Sequence, residues 1–186
     1  MAAKVIPVWK QITPELEAEL VSFWTVNKAI GEEKDAAKRA KQVVCIARGD
    51  KGEIVGVSTA HPRIVPRLRQ PMYYYRNFIA EGARGQQLAP AFLEASKKAL
   101  QEYNLGLSKP LCLGMIIELE NKALAAHRNE AQWKEGFTFI GYSPKGLTLR
   151  VWYFDGVKLF PPAPLKQAAK KRAAGAAGIT AAPAKA

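Results

Sequence analysis

Apolar and polar positions alternate in VIPVWKQI near the start of the chain, which predicts a first strand. Thr13-Pro14 then predicts a helix start, a hydroxyl cap followed by proline at the first helical position. Glu15, Glu17 and Glu19 lie near the positive end of that helix dipole. Leu16, Leu20, Phe23 and Trp24 recur every three to four residues and give the helix an apolar face. A second helix, short and charged, is predicted over Glu32 to Gln42. QVVCIARG and EIVGVSTAH follow as two β runs, joined by the hairpin signal Asp50-Lys51-Gly52.

HPRIVPRLRQP carries three prolines in eleven residues, which obstruct both helix and central strand, so a basic irregular loop is expected there. MYYYRNFIA is aromatic-rich and strand-forming. A helix over 86–103 is predicted, with Leu88, Phe92, Ala95 and Leu100 on its buried face. LCLGMIIELE reads as a central strand, residues 121–135 as a helix, and TFIGYS with LTLRVWYFDG as a closing hairpin about a Pro-Lys-Gly turn. The order is β α α β β β α β α β β. It predicts an α/β fold, a central mixed, mostly antiparallel sheet flanked by helices. Short links favour antiparallel pairing early, and the helical crossover favours parallel pairing between the tyrosine strand and LCLGMII.

With 186 residues, 48% hydrophobic and 24% charged, the chain has the composition of one globular domain. It is assigned to residues 1–160. No apolar run approaches the roughly 20 residues that span a bilayer, and MAAKVIPVWKQ lacks a secretion-signal core, so a cytoplasmic protein without a membrane partner is expected. Cys45 and Cys112 sit in apolar runs and read as buried free thiols. With only His61 and His127 beside them they form no metal-ligand pattern. The net charge of +12 and pI near 9.8 point to nucleic acid or another polyanion as a partner. Five of the basic residues lie in 161–186, a segment without aromatic or acidic residues, leaving about +7 on the rest. That Ala/Pro/Lys-rich segment is read as a flexible basic tail, either polyanion-binding or merely solubilising.

Between the tyrosine strand and the next helix stands EGARGQQLAPAFLE. A strand, a short Gly-containing turn and a helix is the arrangement that cradles a phosphate on backbone N–H groups. With this element order, the chain from about residue 4 to 156 resembles the GNAT superfamily of acyl-CoA-dependent N-acetyltransferases. ARGDKGEIVGVS resembles that family's second and third strands, with their hydrophobic-Gly-hydrophobic step. FIAEGARGQQLAPAFLEAS resembles its acyl-CoA signature, and ENKALAAHRNEAQWKEGFTFIGYS its last helix, ending in Gly136-Phe137. The resemblance implies acetyl-CoA as cosubstrate, its pyrophosphate on the N–H groups of Gly85, Gln86, Gln87, Leu88 and Ala89, beside Arg84. Its pantetheine would meet the fourth strand near Asn77, Phe78 and Ile79. One position departs: the signature's central glycine is Gln87 here, which either crowds the pyrophosphate or takes a backbone that non-glycine residues resist.

Acetyl transfer needs a deprotonated amine, a polarised thioester carbonyl and a protonated leaving thiolate. In the resembling family the slot lies between the fourth and fifth strands, and the base is often a carboxylate on a central strand. Glu118, with Glu120 on the same face, is the candidate base here, and Tyr73 and Tyr75 are candidate acids. His61 has a base's pKa but stands alone in its loop. The helix position of the family's acidic tyrosine falls on Gln132, which donates no proton. The loops around Asn27–Lys34 and Ser143–Leu147 would set the acceptor. The expected function is N-acetyl transfer from acetyl-CoA to an amine of a small molecule or protein, by a monomer or homodimer. The alternative is an inactive binding or structural module. Nucleic acid would meet it through Arg63, Arg67, Arg69, Arg76 and the tail, with Tyr73–Tyr75 for stacking.

Overall fold

A computed structural model describes residues 3–121 and 126–164 of the chain. Its elements are β1 (Lys4–Pro7), α1 (Pro14–Val26), α2 (Glu33–Ala40), β2 (Val43–Arg48), β3 (Ile54–Val65), β4 (Gln70–Ile79), a 3-10 turn (Glu81–Ala83), α3 (Leu88–Leu105), β5 (Gly114–Glu118), β6 (Thr138–Tyr142) and β7 (Thr148–Tyr153). The Thr13 hydroxyl accepts from the Leu16 N–H and Pro14 opens α1, as the capping chemistry requires. Gly52, at φ +83°, turns the chain between β2 and β3.

Seven strands form one mixed sheet in the order β1-β2-β3-β4-β5-β7-β6. Four of its pairs, from β1 to β4 and from β5 to β7, include antiparallel partners throughout, and β6 pairs antiparallel with β7 as well. Only β4 and β5 run parallel, linked by the α3 crossover. The sheet is therefore mixed and mostly antiparallel, as expected from the element order.

Two expectations are corrected. The proline-rich stretch is not a loop: β3 continues through His61, Pro62 and Arg63 to Val65, and Pro71 lies in β4. The register of β2 on β3 ends at Val43 with Thr59, so Pro62 sits where β3 has a neighbour only in β4. A missing N–H on that open side costs no ladder bond. The expected helix over 121–135 does not run its length. Residues 122–125 lie outside the described residues, Ala126 and His127 are helical, and the chain then leaves the helix, with Gln132 bridging to Thr138.

The sheet carries α1 and α2 on one face and α3 on the other. Leu20, Phe23 and Trp24 of α1 pack with Val43, Ile46 and Val57, whereas Leu88, Phe92 and Leu100 of α3 pack with Tyr73, Tyr75 and Met115. Cys45 and Cys112 are buried free thiols. Residues 161–164, assigned from the sequence to the tail, run along the β3–β4 turn. There Ala163 exchanges hydrogen bonds with Arg69, and Phe160 does the same with the Gln70 side chain. Residues 165–186, the rest of the tail, lie outside the described residues. Among the described residues no helix is long and apolar enough to cross a membrane.

Gly56 fixes how closely α3 approaches the sheet. A Cβ there would stand 2.9 Å from the ring of Phe92, itself fully buried. Gly56→Ala should therefore destabilise the protein by about 1–3 kcal/mol, the usual cost of overpacking. Urea midpoints at unchanged slope are the measurement, and an unchanged midpoint would show that α3 yields freely.

Candidate active site

The parallel pairing of β4 with β5 lasts only three residues, Tyr73 with Met115, Tyr74 with Ile116 and Tyr75 with Ile117. Beyond Tyr75, β4 continues along β3 to Ile79 without β5 beside it. The two strands part, and a cleft of about 770 Å³ opens there. Ala80 N–H donates to the Val55 carbonyl, so alternation places the backbone of Phe78 and Arg76 on β3. The N–H and C=O groups of Asn77 and Ile79 consequently face the gap. Of the two expected β4 contacts, Ile79 presents its backbone to the cleft; Phe78 presents only its side chain, which packs on Phe23. Asn77, expected beside them, presents its backbone to the cleft as Ile79 does.

The turn that follows is the one expected from the sequence to cradle a phosphate. Gly85, at φ +84°, reverses the chain, and Gln87 caps α3 in the left-handed region at φ +57°. The glycine of the resembling signature falls on that left-handed position, so the departure at Gln87 is one of backbone conformation. The N–H groups of Gly85, Gln86 and Gln87 donate to no backbone carbonyl, and Leu88 and Ala89 begin the helix, where N–H groups have no intrahelical partner. Pro90 has no N–H to leave over. Arg84, Ala89 and Pro90 line the cleft, and the Arg84 Nε donates to the Ile79 carbonyl at 3.3 Å. Leu88 turns its side chain into the core.

Of the three expected catalytic residues, the structure brings Glu118 to the cleft. Tyr73 lies in the core against Trp9 and Phe154, and it does not line the cleft. Tyr75 lines the cleft with its ring, but its buried hydroxyl lies beside Ser96, Asn77 and Ser58 and completes no hydrogen bond of good geometry. Burial pushes both phenols well above their ordinary pKa. Strand alternation explains the outcome: Tyr73 and Tyr75 face α3, and Tyr74 faces the side of α1 and α2.

Tyr74 and Arg76, not singled out together from the sequence as chemistry, organise the acidic end of the cleft. The Tyr74 hydroxyl donates to Glu118 Oε2. Arg76 donates to the Tyr74 oxygen at 3.2 Å and to Glu120 Oε1 at 3.0 Å. The guanidinium of Arg76 and that of Arg63 stack on the Tyr74 ring, beside His61. Burial raises the Tyr74 pKa, and its bond to Glu118 raises it further. Burial would also raise Glu118, but the hydroxyls of Ser143 and Tyr74 and the charges of Lys145 and Arg76 outweigh it and hold the pKa below the ordinary range. Glu118 is thus a carboxylate at neutral pH. His61, pressed by burial and by Arg63, Arg76 and Arg39, has a lowered pKa and is neutral there.

Of the two loops expected to set the acceptor, the first lines the cleft through Ala29 and Ile30, and the second acts on Glu118 through Ser143 and Lys145. The far wall comes from the segment that leaves the expected helix. Trp133 is held between the guanidinium groups of Arg128 and Arg150, at 4.0 and 4.4 Å, and Arg128 pairs with Glu135. Gln132 does not line the cleft. The stacking surface expected for nucleic acid is not formed: Tyr73, Tyr74 and Tyr75 are at most 5% exposed. Arg67 and Arg69 are engaged by the carbonyls of Ile140 and Ala163, and Arg76 by Glu120.

No protein-family model matches the sequence, and no curated protein does. Solved structures do match in fold. A GNAT superfamily phosphinothricin acetyltransferase from Sinorhizobium meliloti, crystallised with acetyl-CoA, is similar at TM-score 0.55 and 16% identity, over 88% of this chain and 96% of that one. The GNAT domain of an S. lividans protein gives 0.55 and 17%, over 82% and 90%. A histone acetyltransferase and related acetyltransferase from Corynebacterium glutamicum gives 0.51 and 19%, over 85% and 99%. The fold is that of the GNAT acyl-CoA N-acyltransferases.

Tyr74→Phe should cost about 1–2 kcal/mol, since the lost acceptor is charged but only partly buried. Glu118, with its depressed pKa, stabilises the fold above the ordinary carboxylate range and loses that contribution as pH falls through the depressed value. Without the Tyr74 hydroxyl its folded-state pKa should rise toward the unfolded value, so the acid loss should be smaller and should end at higher pH. Urea midpoints of both proteins between about pH 3 and pH 7 measure this. Parallel pH profiles would show that Tyr74 does not hold Glu118.

Proposed function

We propose that the protein is an N-acyltransferase that uses acetyl-CoA on an amine. The observation that carries this reading is the gap between β4 and β5, where the Asn77 and Ile79 backbone lies open beside the unpartnered N–H groups at the start of α3. An extended, amide-containing chain can bond the open edge as a strand would. A pyrophosphate suits the left-handed turn and helix N-terminus at 85–89, next to Arg84. The residues present therefore fit acetyl-CoA, and the similar structure solved with acetyl-CoA supports the reading.

Bound acetyl-CoA supplies an acyl group on a thiol leaving group. In the reaction the amine nitrogen bonds to the acyl carbon, the carbon–sulfur bond breaks, one amine proton is given up and the thiolate takes one. Glu118, ionised and lining the cleft, accepts the amine proton, directly or through water. Tyr74 is a positioning residue: protonated throughout, it fixes the carboxylate, and Arg76 fixes Tyr74. The N–H groups of Asn77 and Ile79 are the donors available to a carbonyl oxygen on that edge.

CoA at 100 times its dissociation constant should stabilise the protein by about 2.7 kcal/mol, a rise in melting temperature of roughly 5–10 °C. No shift at millimolar CoA would remove the reading. Gln87→Gly should tighten CoA binding, because the side chain leaves the cradle. Stability of the free protein should change little, since relief of the left-handed strain, roughly 1–2 kcal/mol, is largely offset by the looser unfolded chain, about 0.4–1 kcal/mol. Titration with CoA reads the affinity, and weaker binding by the variant would place the pyrophosphate elsewhere.

A further inference from the structure

Among the described residues, every charged side chain that lines the cleft has a hydrogen bond or ion pair with one exception. Glu120 takes Arg76 at 3.0 Å and Glu135 takes Arg128 at 2.5 Å, and Glu118 is held by Tyr74. The Arg84 guanidinium donates to the Ile79 carbonyl. Arg39, in the last turn of α2, lines the same cleft half-buried, and among the described residues it makes no hydrogen bond or ion pair. Glu120 and Asp35 act on it from beyond ion-pair distance, and the strongest charged influence on it is a like one, Arg76. Burial and that neighbour lower its pKa, yet a guanidinium does not give up its proton. A half-buried cation beside a second cation is held at a cost unless an anion joins it.

We propose that the acceptor brings that anion: it is a small amine bearing a carboxylate, an α-amino acid, whose acid group pairs with Arg39 while its amine faces Glu118. The proposal rests on the acyltransferase reading for what happens to the amine, but its recognition element is independent of it. Arg39 stands on the α2 side of the sheet, with Tyr74, Arg76 and Glu120 in electrostatic reach. The phosphate cradle belongs to α3, on the opposite side. Acceptor and cosubstrate therefore enter from opposite faces and meet in the gap between β4 and β5. A planar guanidinium with free N–H groups recognises a carboxylate by paired hydrogen bonds, which a neutral amine cannot supply.

The test is calorimetric titration of the full chain, with and without CoA, against the standard L-amino acids and the decarboxylated amine of whichever binds most tightly. The amino acid should bind about 10- to 100-fold more tightly than its amine, the worth of a charge-assisted hydrogen bond. Arg39→Gln should erase that ratio, leave CoA binding unchanged, and not lower the melting temperature, since the side chain loses no partner. Equal affinity for acid and amine, or binding of no amino acid, overturns the proposal. If Arg39 serves only the negative end of α2, Arg39→Gln will lower the melting temperature and keep the ratio, which also overturns it. Failure of CoA to bind would remove the acyltransferase reading, while the acid-to-amine ratio and its loss in Arg39→Gln would still report on Arg39.

Discussion

The short parallel register between β4 and β5 is the constraint on which the rest depends. Three residue pairs join the strands, and then β5 ends at Glu118 while β4 runs on for four residues. A sheet interior normally leaves no backbone group without a ladder partner. Here two residues, Asn77 and Ile79, keep outward-facing groups because their neighbour has gone. The same separation lets side chains from both faces of the sheet reach one volume. Arg39 and Arg76 come from one side, and Ala89, Pro90 and Leu93 from the other. Closing the gap by two more pairs would remove the backbone edge and the meeting place together.

Electrostatics in the cleft follow from who is partnered. Tyr74 is protonated because it is buried and bonded to a carboxylate, and Glu118 is ionised because hydroxyls and cations surround it. Each state supports the other. Arg76 anchors the pair from the Tyr74 oxygen and is itself tied to Glu120. Among the described residues Arg39 has no hydrogen bond or ion pair, and only Glu120 and Asp35 offset its charge from a distance. The cleft thus holds an ionised carboxylate and a guanidinium from the α2 side, while Arg84 and the start of α3 supply positive potential on the other.

Much of the fold was legible in local chemistry. Thr13-Pro14, the Asp50-Lys51-Gly52 turn and the periodicity of α3 each predicted an element that formed within a few residues. The proline rule failed at Pro62 because it assumes a neighbour on both sides of the strand, and sequence shows no neighbours. The helix expected over 121–135 does not run its length: Gln132 bridges to Thr138, and Arg150, from a strand farther along the chain, donates to the Arg128 and Ala131 carbonyls. In the site, the carboxylate Glu118 was legible from its place at a strand end. The choice of tyrosine was not, since MYYYRNFIA offers three in a row and its alternation has two phases.

The sequence by itself determined the elements, their order, the parallel crossover through α3 and the turn with Arg84 and Gly85, because each depends on residues within one turn or one strand. Tertiary structure alone decided which residues of β4 border the cleft, that Gln87 takes a left-handed backbone, and that Arg39 makes no ion pair among the described residues. Those outcomes depend on register and on the packing of α2 and α3 against opposite faces of the sheet, where a shift of a single residue exchanges the side chains that meet the cleft.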